Sequence, residues 1–135
     1  MLCVDTSSLI AYLQGSKGKD VELIDQALAD QAVVLACVTI TELLSDPDLL
    51  VETRATILGL PMLPLTDSYW ERAGLLRASV LRRGAKARLA DTLIAQQCLD
   101  HHATLVTRDR DFKIFKQIAG LKALIVLDHQ PNGKR

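Results

Sequence analysis

The sequence predicts a three-layer α/β domain with a parallel sheet at its centre. Short β-rich apolar runs alternate along the chain with stretches of helical periodicity, which is the order typical of parallel strands joined by helices. Residues 33–36 are apolar without interruption, as expected of a strand buried on both faces. The 135 residues, 49% of them hydrophobic, suffice for one domain with its own core. We therefore expect residues 1–135 to form a single domain, with a polar tail at about 129–135.

In the first half of the chain, apolar runs predict strands, and apolar residues at helical spacing predict helices. The strands lie at residues 2–4, 33–36 and 62–65. The helices lie at residues 9–14, 21–28 and 39–45 and in the stretch up to residue 59. Thr6, Ser7 and Ser8 are expected to cap the first helix, and Thr39 is expected to begin the third.

In the second half, the clearest element is an amphipathic helix over residues 68–83, which Gly84 ends. Further helices are predicted over residues 88–101 and 112–118, and strands over residues 104–106 and 124–127. Parallel sheets of this kind place their sites outside the carboxyl ends of the strands, so the polar residues that follow strands are the candidates for function.

Composition excludes several classes of protein. The longest apolar run, residues 32–38, is too short to span a membrane, and no basic residue precedes Lys17 as a secretory signal would require. The three cysteines, Cys3, Cys37 and Cys98, lie in apolar settings without a Cys-x-x-Cys spacing. We expect reduced core thiols and a cytoplasmic protein.

The zero net charge conceals an asymmetry between the two halves. Residues 1–67 hold 10 acidic and 3 basic residues, whereas residues 68–135 hold 6 acidic and 13 basic residues. This division suggests a site that binds cations beside a surface that binds anions. The alternative is that the halves interleave in the fold and the charges only solvate the surface.

Carboxylates occur where the predicted strands end. Asp5 ends the first strand, Asp109 and Asp111 follow the strand at residues 104–106, and Glu42 lies in the helix that follows residues 33–36. Each has a structural alternative: Asp5 or Asp111 could cap a helix, and Glu42 could complete a capping box that Thr39 begins.

Asp91 is harder to explain structurally, because its neighbours on the helix are Ile94, Ala95 and Cys98. A lone carboxylate on an apolar face is costly to keep ionised unless a cation or strong donors meet it. If the sheet brings the acids together, a hard divalent ion relieves their repulsion, and oxygen ligands without a nearby His or Cys indicate Mg²⁺ or Mn²⁺.

A basic run leads into Asp91 with no acidic residue inside it. Its members are Arg72, Arg77, Arg82, Arg83, Lys86 and Arg88. Next to a metal centre, this run is expected to bind phosphate groups, although a solvated helix face is the simpler alternative. No phosphate-binding glycine loop and no Gly-x-Ser-x-Gly elbow is present, and the adjacent His101 and His102 would diverge on a helix.

These residues together resemble a PIN domain, specifically the VapC-type ribonuclease toxins of type II toxin–antitoxin systems. The likeness covers nearly the whole chain and lies in four strings. They are Asp-Thr-Ser at 5–7, Thr-Ile-Thr-Glu-Leu at 39–43, Asp-Thr-Leu-Ile-Ala at 91–95 and Leu-Val-Thr-Arg-Asp-Arg-Asp-Phe at 105–112.

The resemblance implies an α/β/α fold with a parallel five-stranded sheet and an acidic cluster that binds Mg²⁺ or Mn²⁺. Carried over by position, the catalytic and metal-binding acids are Asp5, Glu42, Asp91 and Asp109, with Asp111 as an auxiliary metal ligand. The small polar residues that line the pocket are Thr6, Ser7 and Thr107. The implied partners are an RNA substrate, a cognate antitoxin protein and a second copy of the chain.

The sequence therefore predicts a metal-dependent endoribonuclease. A non-catalytic module that binds nucleic acid or protein is the alternative, and a metal-dependent phosphatase is a weaker one. The phosphatase type with an aspartyl nucleophile requires an acid two positions after the first, where this chain has Ser7.

Overall fold

Four parallel strands form the sheet within residues 1–127, which are the residues that this computed structural model describes. The strands are β1 (Leu2–Val4), β2 (Val33–Val34), β3 (Thr104–Thr107) and β4 (Ala123–Ile125), and their order across the sheet is β2-β1-β3-β4. In register, Leu2 of β1 pairs with Val33 on one side and with Thr104 on the other. The predicted polar tail at about 129–135 lies outside the described residues.

Helices connect the strands. They are α1 (Thr6–Leu13), α2 (Lys19–Ala29), α3 (Cys37–Leu44), α4 (Val51–Leu58), α5 (Tyr69–Arg82), α6 (Leu89–His101) and α7 (Lys113–Ala119), with a 3₁₀ turn at Arg110–Phe112 before the last. Among the described residues, none of these helices combines the length and the apolar character needed to cross a bilayer.

The side chains of each strand alternate between two apolar clusters, one on each face of the sheet. Cys3 of β1 packs with Ile94 of α6 and Phe115 of α7, whereas Val4 packs with Ile24 of α2 and Ile57 of α4. Helices therefore cover both faces, and the three-layer α/β prediction with a parallel sheet is confirmed.

The prediction of a fifth strand is wrong within the described residues. The segment predicted as a strand at 62–65 contributes only an isolated parallel bridge between Met62 and Leu35. Its two ladder hydrogen bonds are Leu35 N–H to the Pro61 carbonyl and Leu63 N–H to the Leu35 carbonyl. Pro61 has no N–H to donate to β2, and on the other side of the bridge α3 begins at Cys37, whose N–H donates to the Gln97 side chain, so the ladder does not extend.

Three helices begin earlier than predicted, among them α2, which begins at Lys19 instead of residue 21. α1 begins at Thr6, so Ser7 and Ser8 lie inside its first turn and Asp5 occupies the position before it. α3 begins at Cys37, two residues before Thr39. The sequence signals predicted which segments are helical but not the residue at which each helix begins, because capping residues also occur within helices.

The strand order creates a crevice at the carboxyl ends of β1 and β3. The chain leaves β1 for β2 on one side, and later enters β3 on the other side of β1. Helical connections that diverge in this way leave a gap above the sheet, where open parallel sheets bind ligands. Asp5 and the residues after Thr107 lie at this point.

Candidate active site

Asp5 follows β1 directly, and the sheet ladder holds its backbone through its N–H, which donates to the Val106 carbonyl at 3.0 Å. Its side chain is 6% exposed and makes no capping hydrogen bond to α1. Burial raises the pKa of this carboxyl group above its ordinary value, hydrogen bonds from Thr107, Thr6 and Ser7 oppose that rise, and Glu42 adds to it. Asp5 therefore occupies the N-cap position of α1 without a side-chain capping bond.

Hydroxyl groups from two elements converge on Asp5. The Thr107 hydroxyl donates to Oδ2 of Asp5 at 2.7 Å, and the Ser7 hydroxyl donates to the same oxygen at 3.2 Å. Thr107 Oγ1 also accepts the N–H of Asp109 at 3.0 Å, and Ser7 Oγ accepts the N–H of Arg108 at 3.0 Å. The residues predicted to line the pocket thus fix the end of β1 against the loop after β3.

Asp91 lies in the first turn of α6 and is 9% exposed. Its Oδ2 is buried without a hydrogen-bond partner among the described residues. The pKa of Asp91 is raised to about 6, first by burial and then by the negative charges of Asp109, Asp5 and Asp111, against a smaller opposing effect of Arg88. The sequence-based inference that Asp91 points along an apolar, buried face of its helix is confirmed.

Asp109 and Asp111 bring two more carboxylates to Asp91. Each of the three residues has a carboxylate oxygen that lies within 4.8 Å of a carboxylate oxygen of each of the other two. Asp109 also has a structural function, because its Oδ1 accepts the N–H of Asp111 at 2.9 Å and so caps the 3₁₀ turn. The capping residue is therefore Asp109 rather than Asp111.

Glu42 reaches the crevice from α3. It is exposed, and its Oε1 accepts a hydrogen bond of 2.9 Å from the Thr6 hydroxyl. The alternative capping box is wrong, because Thr39 lies inside α3 with a fully buried hydroxyl that has no partner among the described residues. The five predicted acids thus form an acidic cluster, with Asp91, Asp109 and Asp111 in mutual reach and Glu42 at its rim beside Asp5.

The structure divides the predicted basic run into two parts. Lys86 and Arg88 lie beside the cluster, with Nζ of Lys86 3.5 Å and Nε of Arg88 3.7 Å from Oδ2 of Asp111. Arg82 and Arg83, near the end of α5, are exposed. Lys86 and Arg88 therefore lie at the edge of the acidic cluster, and an RNA contact by any of these four side chains stays a prediction.

Arg72 and Arg77 are engaged in the fold itself. The Arg72 guanidinium forms an ion pair with Asp100, which lies nine residues beyond Asp91 on α6 and therefore about 13 Å along the helix axis. Nε of Arg77 donates to the Ala87 carbonyl at 2.8 Å. Arg72 is therefore held away from the acidic cluster, whereas Arg77 is held against the segment that precedes α6. An RNA contact by either of them stays a prediction.

The sequence did not predict a buried ion pair between Arg108 and Asp20. Nε of Arg108 donates to Oδ2 of Asp20 at 2.7 Å, and the Ser8 hydroxyl donates to the same oxygen at 2.8 Å. Burial favours a raised pKa for the fully buried Asp20, yet the bonds from Arg108 and Ser8 hold its pKa below the ordinary value. No local pattern marks a partner 88 positions away, although Arg108 lies within the motif that holds Asp109.

Comparison with known proteins places this geometry in context. The chain matches the family model described as PIN domain over residues 2–120. It is 30% identical over 131 residues to VapC ribonuclease Mb1587 of Mycobacterium bovis and to ribonuclease VapC11 of Mycobacterium tuberculosis, with 91% of this chain and 97% of each relative covered.

Solved structures with a similar fold include toxin–antitoxin complexes. VapBC2 of Rickettsia felis, bound to a DNA fragment from its promoter, superposes with a TM-score of 0.69 at 17% identity, covering 92% of this chain and 97% of that one. FitAcB of Neisseria gonorrhoeae superposes with a TM-score of 0.70 at 22% identity, covering 92% and 96%.

Proposed function

The chain belongs to the PIN domain family, and from that premise we propose that it is a metal-dependent endoribonuclease, the toxin of a toxin–antitoxin pair. Relatives that are named ribonucleases match nearly the whole chain, and they support RNA as the substrate class. The acidic cluster supplies the chemistry that such an activity requires.

The observation that carries this proposal is the orphaned Oδ2 of Asp91. A buried carboxylate oxygen without a hydrogen bond costs several kcal/mol unless a cation meets it. Oxygens of Asp109 and Asp111 lie within 4.8 Å of a ligand oxygen of Asp91, which is the separation of ligands around one ion. The donor set is entirely carboxylate, so it fits Mg²⁺ or Mn²⁺ better than Zn²⁺.

We assign the metal to Asp91, Asp109 and Asp111, whose oxygens lie in mutual reach, with Asp5 and Glu42 as further ligands. When bound, the ion supplies Lewis acidity and lowers the pKa of a coordinated water at the phosphodiester. Thr107 and Ser7 hold the Asp5 carboxylate in place, and Thr6 holds Glu42.

Lys86 and Arg88 have a separate function in this proposal. Their long ion pairs to Asp111 are exposed and therefore weak, so both cations can exchange that carboxylate for a phosphate oxygen of RNA. They would grip the backbone beside the scissile bond, and Arg82 and Arg83 would extend that contact outward.

We also propose an antitoxin protein and a second copy of the chain as partners. The structural neighbours include toxin–antitoxin complexes, which supports the first. Large apolar side chains on α5 and at the start of α6 are exposed, among them Trp70 at 64%, Leu75 at 70% and Leu89 at 61%. A surface of this kind is typical of contact with another protein. The cytoplasmic location stays a prediction.

The test is digestion of a mixed tRNA and rRNA pool with Mg²⁺, Mn²⁺ or EDTA, with the cut sites mapped by sequencing. We expect discrete cuts with either metal and none in EDTA. Asp91→Asn should abolish them, whereas the control Asp48→Asn, at an exposed loop carboxylate, should not. RNA that is bound but uncut in Mn²⁺ would contradict this function and favour the non-catalytic module.

A further inference from the structure

A second basic surface lies outside the predicted basic run. It is a groove of about 480 Å³ between α7 and the end of β4, which we call the α7 groove. Its lining residues are Arg110, Lys113, Lys116, Gln117, Ile125 and Leu127. This volume lies in the range of sites that enclose small organic ligands, so the groove has room for a nucleotide.

The α7 groove begins beside the acidic cluster. Ile125 in its floor is the register partner of Thr107, the residue whose hydroxyl binds Asp5. β4 lies two strand spacings from β1, which is about 10 Å. Arg110 stands between Asp109 and Asp111 in the chain, so the wall of the groove continues directly into the cluster.

The groove combines cations with an apolar floor. Arg110, Lys113 and Lys116 are exposed and three residues apart, so they follow one side of the 3₁₀ turn and α7. Among residues 1–127, none of the three forms an ion pair within 4.0 Å. Leu127 is 54% exposed, and with Ile125 it offers an aliphatic surface to a flat ring.

We propose that the α7 groove binds the RNA strand on one side of the scissile phosphate, an inference that rests on the proposed ribonuclease function. Arg110, Lys113 and Lys116 would contact successive phosphates, and Ile125 and Leu127 would contact the face of one base or sugar. Lys86 and Arg88 reach Asp111 from the segment between α5 and α6, so the strand crosses the acidic cluster between two basic surfaces.

Charge favours RNA over an acidic protein segment as the occupant. Both would be attracted by the three cations, but the groove leads into Asp109 and Asp111, whose carboxylates repel acidic side chains. A phosphate strand arriving at the same place meets the proposed metal, which accepts phosphate oxygens as ligands. An acidic protein that follows the groove would have to stop short of the cluster.

The test measures binding of the full chain to a labelled single-stranded RNA in EDTA, where no cleavage is expected. Lys113→Ala/Lys116→Ala is compared with Arg54→Ala/Lys122→Ala, which removes the same charge. Arg54 lies on α4, across the sheet from α7, and Lys122 precedes β4 at the amino end of that strand, outside the lining of the groove. The slope of log affinity against log salt should fall by about 1.4 in the groove variant, roughly 0.7 for each lost phosphate contact, and stay unchanged in the control.

Leu127→Ala should weaken the same RNA several-fold without changing that slope, because it removes an apolar contact. With Mn²⁺ present, the double groove variant should raise KM and leave kcat at saturating RNA close to that of the wild type.

The wild-type chain could cleave RNA while the groove variant and the control variant bind RNA with the same affinity and salt dependence. That result would overturn the proposal that the α7 groove binds RNA and leave the ribonuclease function intact. The same proposal would be overturned if the groove variant no longer bound an acidic protein partner but kept its affinity for RNA. A wild-type chain that neither binds nor cleaves RNA would contradict both proposals.

Discussion

The Thr107 hydroxyl donates a 2.7 Å hydrogen bond to Oδ2 of Asp5, across 102 positions of sequence. Both residues are buried, at the carboxyl ends of the adjacent strands β3 and β1. Because the same hydroxyl oxygen accepts the N–H of Asp109, one threonine sets the separation of two carboxylates in the cluster. The acids are therefore preorganised by the sheet before any ion or RNA arrives.

Replacement of Asp5 by Asn should abolish RNA cleavage while the metal-free protein stays as stable or becomes more stable. The change removes the charge of a buried carboxyl group, and the pKa of that group is raised by burial and by Glu42. The measurement is RNA cleavage in Mn²⁺ together with thermal melting in EDTA. Full residual cleavage in Asp5→Asn would contradict the metal assignment, and a large loss of Tm would make Asp5 a structural residue.

The metal-free protein should lose stability as the pH rises from about 4 to about 6, through Asp91. Its pKa is about 6 in the folded chain against an ordinary 3.8, so the folded state holds the proton more tightly. The stabilising contribution is then fully present below pH 4 and is lost as the pH rises through 6. A shift of this size corresponds to about 3 kcal/mol.

Denaturant unfolding in EDTA at pH 4 and pH 7 measures this effect in the wild type and in Asp91→Asn. Asp20, whose pKa is lowered, contributes with the opposite sign and loses its effect as the pH falls, but it is present in both proteins and cancels. The wild type should lose more stability than the variant between the two pH values. Equal losses would show that Asp91 titrates normally.

Breaking the buried pair of Arg108 and Asp20 should be strongly destabilising. Asp20 is fully buried and the Arg108 side chain is 16% exposed, so Asp20→Ala leaves a poorly solvated guanidinium and should cost about 3–5 kcal/mol of unfolding free energy. Asp25→Ala is the matched control on the same helix, because it loses only an exposed hydrogen bond from Tyr12. Similar midpoints in urea for both variants would contradict this prediction.

Gly18→Ala should destabilise the chain more than Gly15→Ala. Both glycines have positive φ, 151° and 74°, but a Cβ at Gly18 would lie 2.6 Å from Oδ1 of Asp20 and 2.8 Å from Nη2 of Arg108. A Cβ at Gly15 meets no atom within 4 Å, so it brings only backbone strain of about 1 kcal/mol. Thermal melting of the two variants tests the difference, and a Gly18→Ala protein as stable as Gly15→Ala would mean that the ion pair moves aside without cost.

The sequence by itself determined the helices, four of the five predicted strands and the carboxylate residues of the acidic cluster. Hydrophobic periodicity is a local property, so the alternation of apolar runs and amphipathic stretches predicted the parallel α/β layers, including the helix at Tyr69–Arg82. The buried position of Asp91 followed from its apolar neighbours on α6 in the same way. The placement of Asp5 and Asp109 at strand ends required only that those strands be recognised.

Contacts between distant residues were decided by the tertiary structure alone. The capping box at Thr39 was a sound local interpretation, yet α3 begins earlier and Glu42 meets Thr6 across 36 positions instead. The fifth strand failed because α3 begins at Cys37, two residues after the bridge at Leu35, which apolar character alone did not reveal.

The pairing of Arg108 with Asp20 and the α7 groove depend on strand order. Which strands become neighbours is chosen by the packing of the whole chain, since the same local pattern is compatible with several orders. The order β2-β1-β3-β4 places β1 next to β3, and only that adjacency turns separate acidic residues into one cluster.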